Sequence, residues 1–206
     1  MEREWLWDGR IGRYRYKDTG RLAPRSAIDS LSRRYIQKIE AESIASVDDL
    51  LGGKIGFDRW QREQLERIKT VHAQQVMLGS GGYDRTSPEQ FLELGRDLKN
   101  NHYPRFRAFA IEMSEGRLSA AQIKARLKQY YQASNSSYSK GNIASQVRSG
   151  IRLGRRELGG CGVSCAECIG YAGLGWLPLE KIVPIGVACS CGGNCCCRIV
   201  LEKKVG

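Results

Sequence analysis

The feature that most constrains this chain is the placement of its cysteines. All eight lie between Cys161 and Cys197, and the 160 residues before them contain none. Cys161, Cys165 and Cys168 read C-x3-C-x2-C; Cys189, Cys191, Cys195, Cys196 and Cys197 read C-x-C-x3-C-C-C. Two such groups separated by a loop have the layout of two knuckles closing on one centre. Thiolates suit zinc, a borderline-soft ion that takes four sulfurs in a tetrahedron. Cys165 and Cys168 have the C-x2-C spacing that sets two sulfurs on one side of a turn, and Cys191, Cys195 and Cys197 can supply the rest. A structural zinc is the favoured reading; disulfides and reduced, unliganded thiols are the alternatives. An all-cysteine set leaves no evident open coordination position, and His72 and His102 are distant in sequence, which argues against catalytic zinc.

Charge divides the chain in the same place. From Glu157 onward four lysines and arginines balance four glutamates, so the net charge of +11 belongs to residues 1–156. Such an excess attracts phosphate backbones or acidic protein surfaces without specifying sequence, although a merely solvated basic surface would look the same. A hydrophobic content of 41% with 27% charged residues is that of a globular protein and argues against wholesale disorder. No run approaches the ~18 apolar residues of a membrane span. The first residues lack the apolar stretch of a signal peptide, so the expected setting is a cytosol, where thiols stay reduced.

Residues 1–25 interleave Trp5, Trp7, Tyr14 and Tyr16 with arginines, Arg3 among them. Tyr14-Arg15-Tyr16 alternates like a short strand, and Asp18-Thr19-Gly20 reads as a turn. Aromatic residues before the first helix are read as an extended arm that docks on a neighbouring subunit, with packing on the chain's own core, or on nucleic acid, as alternatives.

The middle of the chain is helical by periodicity. Ser26 is expected to cap a helix of about 18 residues with Ile28, Leu31, Tyr35 and Ile39 inward, followed by a separate turn over residues 47–51. A long helix is expected from Phe57 to Leu78, with Trp60, Leu65, Ile68 and Val71 on its core face. His72, beside that stripe, reads as a hydrogen-bonded core residue. Ser87-Pro88-Glu89-Gln90 and Ser119-Ala120-Ala121-Gln122 are capping boxes that open further helices. The first of these helices is expected to end at Asn100-Asn101, and Phe106, Phe109, Ala110 and Met113 define the core face of the one between. Residues 134–142 are polar enough for a loop, with a loosely periodic helix from about 138 to 153. Arg148, Arg152, Arg155 and Arg156 would then form a basic patch at its end, suited to phosphate or an acidic partner. Beyond residue 160, β-prone pieces at 176–179, 182–185 and 198–201 predict small strands around the metal centre.

The run Cys165-Ala166-Glu167-Cys168, then Gly175-Trp176-Leu177-Pro178, then Asn194-Cys195-Cys196-Cys197 resembles the C-terminal region of minor head proteins of tailed bacteriophages, the Mu gpF-like head-morphogenesis group. Tyr14-Arg15 and Thr19-Gly20-Arg21 are similar to that group's opening motif. Cys161, Cys189 and Cys196 are additional to its sparser pattern. The resemblance implies a structural virion protein, present in few copies at the portal vertex, that assists head assembly and genome packaging or ejection. Its implied partners are the portal or major capsid protein, with nonspecific contact to packaged DNA, and its implied location is the virion assembled in a bacterial host.

The sequence therefore predicts a mainly α protein: an extended arm (1–25), a basic helical domain (26–156) and a cysteine-rich module of strands and loops (157–206). Zinc is the expected cofactor. No constellation of nucleophile, acid and base is apparent, so no enzyme activity, small-molecule substrate or membrane association is expected. The competing functions are a capsid-decorating or neck protein, and a cellular zinc-dependent nucleic-acid-binding module. The latter would be expected to place lysines and arginines inside its knuckle, where Lys181 is the sole one between Cys165 and Cys195.

Overall fold

The computed structural model describes residues 4–160 and 162–202; Arg3 and Cys161, singled out above, lie outside them. The fold is mainly α, with a short hairpin early in the chain and a small sheet completed late in it.

Strands β1 (Trp5–Asp8) and β2 (Arg13–Tyr16) pair antiparallel, with Trp5 opposite Tyr16 and Trp7 opposite Tyr14. Strand alternation puts all four aromatic rings on one face. That face packs on Ile28, Leu31, Leu78 and Tyr138 of the helical body. The Tyr14 hydroxyl donates to the Leu78 carbonyl at 2.7 Å, and Gln146 Nε2 donates to the Gly12 carbonyl in the hairpin turn at 2.6 Å. The arm expected to dock on a neighbouring subunit is therefore a hairpin packed on the chain's own core, the alternative reading, because its aromatic stripe finds a complementary apolar face there.

Helix α1 (Arg25–Leu51) is one 27-residue element, where a shorter helix and a separate turn were expected. No glycine or proline interrupts residues 25–51, so nothing breaks the ladder before Gly52. Pro24, not Ser26, occupies the N-cap, and Ile36 replaces the half-exposed Tyr35 on the buried face. Helix α2 (Phe57–Ser80) buries Trp60, Ile68, Val71 and Val76 and ends where Gly81 turns left-handed at φ +100°. Trp7 stacks over that glycine; a Cβ there would sit 2.5 Å from the indole.

Both capping boxes form. Ser87 and Gln90 open α3 (Pro88–Asp97), and Ser119 and Gln122 open α5 (Ala120–Gln132). The expected stop at Asn100-Asn101 is instead a π-helical turn over Leu98–His102 that runs directly into α4 (Tyr103–Ser114). Pro104 has no N–H to give to the preceding turn, and the wider π turn accommodates the missing bond without ending the helix. Phe106, Phe109, Ala110 and Met113 are buried as expected.

The largest departure is α6 (Asn135–Arg148), which replaces the expected loop with a helix packed along α2. Ser136, Ser137, Ser139, Gly141 and Ser145 are all buried. The two helices touch backbone to backbone: a Cβ on Gly79 would lie 2.2 Å from the Tyr138 carbonyl oxygen, and one on Gly141 would lie 2.4 Å from that of Val76. The serine hydroxyls are satisfied, Ser136 by the Ala133 carbonyl one turn back at 2.7 Å and Ser145 by the Gly79 carbonyl of α2 at 3.0 Å. A polar composition here encodes close approach and not solvent exposure.

The chain then leaves the helix and forms β3 (Leu153–Glu157), the central strand of an antiparallel sheet in the order β4–β3–β5, with β4 at Leu177–Pro178 and β5 at Arg198–Leu201. Two of the three β-prone pieces are thus strands; residues 182–185 are not. The cysteine-rich module accordingly recruits β3, a few residues before the expected boundary at 157. Ile151, Leu179, Ile182 and Ile199 form its small core, closed against Ile143 and Val147 of α6. Asn135 Nδ2 donates to the Gly193 carbonyl at 3.1 Å and fixes the cysteine loop to the start of α6.

Candidate metal centre

A helix unforeseen from periodicity begins the site. Cys165 is the N-cap of α7 (Ala166–Gly173), and Cys168 lies in its first turn, fully buried. Cys189 and Cys191 come from the loop after residue 184, which turns at Gly186 with φ +80° and at Ala188 with φ +50°. A short 3-10 turn over Gly192–Asn194 leads to Cys195 and Cys197, just before β5. The three chain segments bring six reduced cysteines together: Cys165, Cys168, Cys189, Cys191, Cys195 and Cys197. Cys196, whose neighbours both join the cluster, is disulfide-bonded and contributes no free thiol.

The sulfurs fall into two sets. Those of Cys165, Cys168, Cys189 and Cys191 all lie within 4.8 Å of one another, as do those of Cys168, Cys195 and Cys197. Cys168 Sγ is 4.0 Å from Cys191 Sγ and 3.5 Å from Cys195 Sγ. Four sulfurs at zinc's bond length of about 2.3 Å stand roughly 3.8 Å apart in a tetrahedron, so the spacing within a set fits an ion held by that set. An iron–sulfur cluster, whose thiolates surround a larger inorganic core, would need a wider cage. The expected ligands Cys165, Cys168 and Cys191 share the quartet with Cys189, which sequence reasoning left as a surplus cysteine. Cys195 and Cys197 sit in the adjoining set.

Arg156 completes the centre. It alternates with Arg155 along β3, so Arg155 faces outward over the Trp176 ring at 5.2 Å and Arg156 faces the sulfurs, 3% exposed. Its Nη2 lies 3.3 Å from Cys195 Sγ, 3.7 Å from Cys168 Sγ and 3.9 Å from Cys189 Sγ. Its guanidinium carbon stands 5.0 Å from the Tyr171 ring centre, and Tyr171 is anchored by its hydroxyl to the Ala188 carbonyl at 3.0 Å. No carboxylate pairs with Arg156 among the described residues. A buried guanidinium is stable only beside negative charge, and the charged or ionisable groups this one touches are sulfurs, its other partners being the Val183 carbonyl at 3.4 Å and the Tyr171 ring.

The thiols divide accordingly. The hydrogen bond from Cys191 is the main influence holding Cys165 down, to about 6. Burial raises Cys195, but the Cys197 amide and the Arg156 guanidinium outweigh it and bring that thiol to about 7. Burial pushes Cys168 up when no ion is bound. The donor set therefore suits a thiophilic divalent cation that replaces the thiol protons.

The remaining expected site residues are dispersed. Trp5, Trp7, Tyr14 and Tyr16 serve the hairpin's contact with the body. Arg148 binds the Arg85 carbonyl at 2.8 Å and Gln90 Oε1 at 3.1 Å, tying α6 to the start of α3. Arg152 is exposed, and Arg155 pairs with Glu157 at 2.5 Å. The four arginines do not share one surface, because β3 sends Arg155 and Arg156 in opposite directions. The role of Arg156 could have been found from sequence only by recognising residues 153–157 as a strand leading into the cysteines. Compared with known protein families, characterised proteins and solved structures, the chain matches none.

Proposed function

We propose that this chain is a structural assembly protein, a minor head component of a tailed-phage particle, in which zinc bound by cysteine thiolates fastens a small C-terminal module to a helical body. The observation that carries the metal half of this reading is the buried Arg156 guanidinium set among sulfurs of both cysteine sets. Neutral thiols would leave that cation uncompensated; thiolates, the form in which zinc holds its cysteines, bear the negative charge it requires. Cys165, Cys168, Cys189 and Cys191 are the residues that would hold the ion, which would supply folding free energy to a module whose apolar core rests on four buried side chains.

The assembly half rests on the resemblance of the Cys165/Cys168, Gly175–Pro178 and Asn194–Cys197 motifs to phage minor head proteins. The module's outer surface supports it. Val163, Ile169, Leu174 and Trp176 are large apolar side chains left exposed on a small unit, as a surface that meets another subunit would be. The basic body supplies nonspecific attraction to packaged DNA or acidic capsid protein.

Mass spectrometry of purified particles, with metal analysis of the same sample, tests this reading. The expected result is the chain at low copy number relative to the major capsid protein, with zinc in proportion. Its absence from particles, together with sequence-selective and steeply salt-dependent nucleic-acid binding, would replace the virion reading with the nucleic-acid-binding module.

A further inference from the structure

The reduced sulfurs outnumber the four that one tetrahedral ion uses. Cys165, Cys168, Cys189 and Cys191 form a complete quartet, while Cys195 and Cys197 make a second set that shares Cys168 with it. Two surplus thiols beside a structural ion have no evident reason to be held against its ligand. A thiolate, however, has lone pairs enough to bind two metal ions at once. Cys168 is placed for that: among the described residues it is the one sulfur common to both sets and the one fully buried cysteine.

We propose that the centre holds two thiophilic divalent ions bridged by the Cys168 thiolate. The first is bound by Cys165, Cys168, Cys189 and Cys191. The second is bound by Cys168, Cys195 and Cys197, with its fourth position open to a cavity of about 320 Å³ that borders Cys168, Cys195 and Cys197 and is lined also by Ser164, Ser190 and Asn194. Three protein ligands and a place for solvent is a common zinc arrangement. Six thiolates and two divalent ions leave two negative charges, and Arg156, which reaches Cys195, Cys168 and Cys189, offsets one of them from inside the protein.

The inference rests on the zinc reading above, and the test separates the two. Full-length protein produced with excess zinc and purified under reducing conditions is analysed for zinc per chain. Two ions per chain are expected, falling to one in the Cys195→Ser/Cys197→Ser variant with its helical circular dichroism unchanged. One ion per chain in the unaltered protein overturns the two-ion centre and leaves the single-zinc reading standing; no metal overturns both. Because the variant could misfold, the unaltered protein reconstituted with cadmium-113 gives an independent readout. Two sulfur-rich resonances coupled through a shared ligand are expected, and a single resonance at saturation contradicts the bridge.

Discussion

Arg156 Nη2 stands 3.3 Å from Cys195 Sγ, and this contact between a buried guanidinium and a thiol joins the sheet of the C-terminal module to its cysteine loops. Hydrogen bonds from outside the ligand set orient thiolates and tune the charge they carry, and losing such a partner typically costs 10- to 100-fold in metal affinity. Arg156→Met is therefore expected to speed zinc loss to a chromophoric chelator by about that factor. Arg156→Lys should recover part of the affinity, because it restores the charge without the planar fork. Equal release from all three proteins would show that the cation is not the centre's charge partner.

The hairpin is expected to stabilise the body. Tyr14→Phe removes the hydroxyl that satisfies the Leu78 carbonyl and should cost about 1 kcal/mol in denaturant unfolding. Deleting residues 1–22 should lower the melting temperature clearly, since it uncovers Ile28, Leu31 and Leu78. A truncated protein as stable as the whole would restore the reading of an arm that serves a neighbouring subunit.

Gly79 and Gly141 set the separation of α2 and α6. Gly79→Ala forces a methyl group into the Tyr138 carbonyl, so a loss of about 1–3 kcal/mol or more is expected. Gly95, inside α3, has open space where its Cβ would be, and Gly95→Ala should gain up to about 1 kcal/mol from helix propensity. Thermal melts of the two variants should move in opposite directions.

His72 is buried with its Nδ1 2.8 Å from Ser137 Oγ and its ring centre 4.3 Å from that of His102. Burial, and then the neighbouring His102, depress its pKa from the usual 6.5 to about 3; Asp97 opposes this, while Lys140 adds to the depression. The unfolded chain thus binds a proton between pH 6.5 and 3 that the native state refuses, so stability is full above pH 6.5 and falls as the pH drops below it. The slope from this one group approaches about 1.4 kcal/mol per pH unit. His102 is shifted downward by burial too and adds to the effect. Urea unfolding between pH 7 and 5 should show this decline, and His72→Gln should flatten it; an identical slope in the variant would assign the decline elsewhere.

The sequence was legible where one physical signal dominated. The capping boxes at Ser87 and Ser119 and the core stripe of α2 needed only local chemistry and period, and the clustering of the cysteines announced their convergence. It misled where composition served tertiary contact. The serines of α6 look like loop residues because their burial depends on Gly79 in another helix. Trp5, Trp7, Tyr14 and Tyr16 look like an arm because the face receiving them is assembled from α1, α2 and α6. Cys189 and Arg156 stayed hidden for a related reason: the C-x-C spacing does not say which sulfur reaches the quartet, and strand alternation at Arg155-Arg156 is visible only once β3 is known. The C-x2-C pair also concealed a helix, since α7 is only eight residues long and carries little periodicity.

The measurement that bears most directly on the account is X-ray absorption at the zinc edge of the protein purified under reducing conditions. A first shell dominated by sulfur at about 2.3 Å is expected, and it should be lost when Cys165 and Cys168 are both replaced by serine. A shell of nitrogen and oxygen, or reduced, folded protein that retains no metal, would contradict a thiolate centre as the fastening of the C-terminal module.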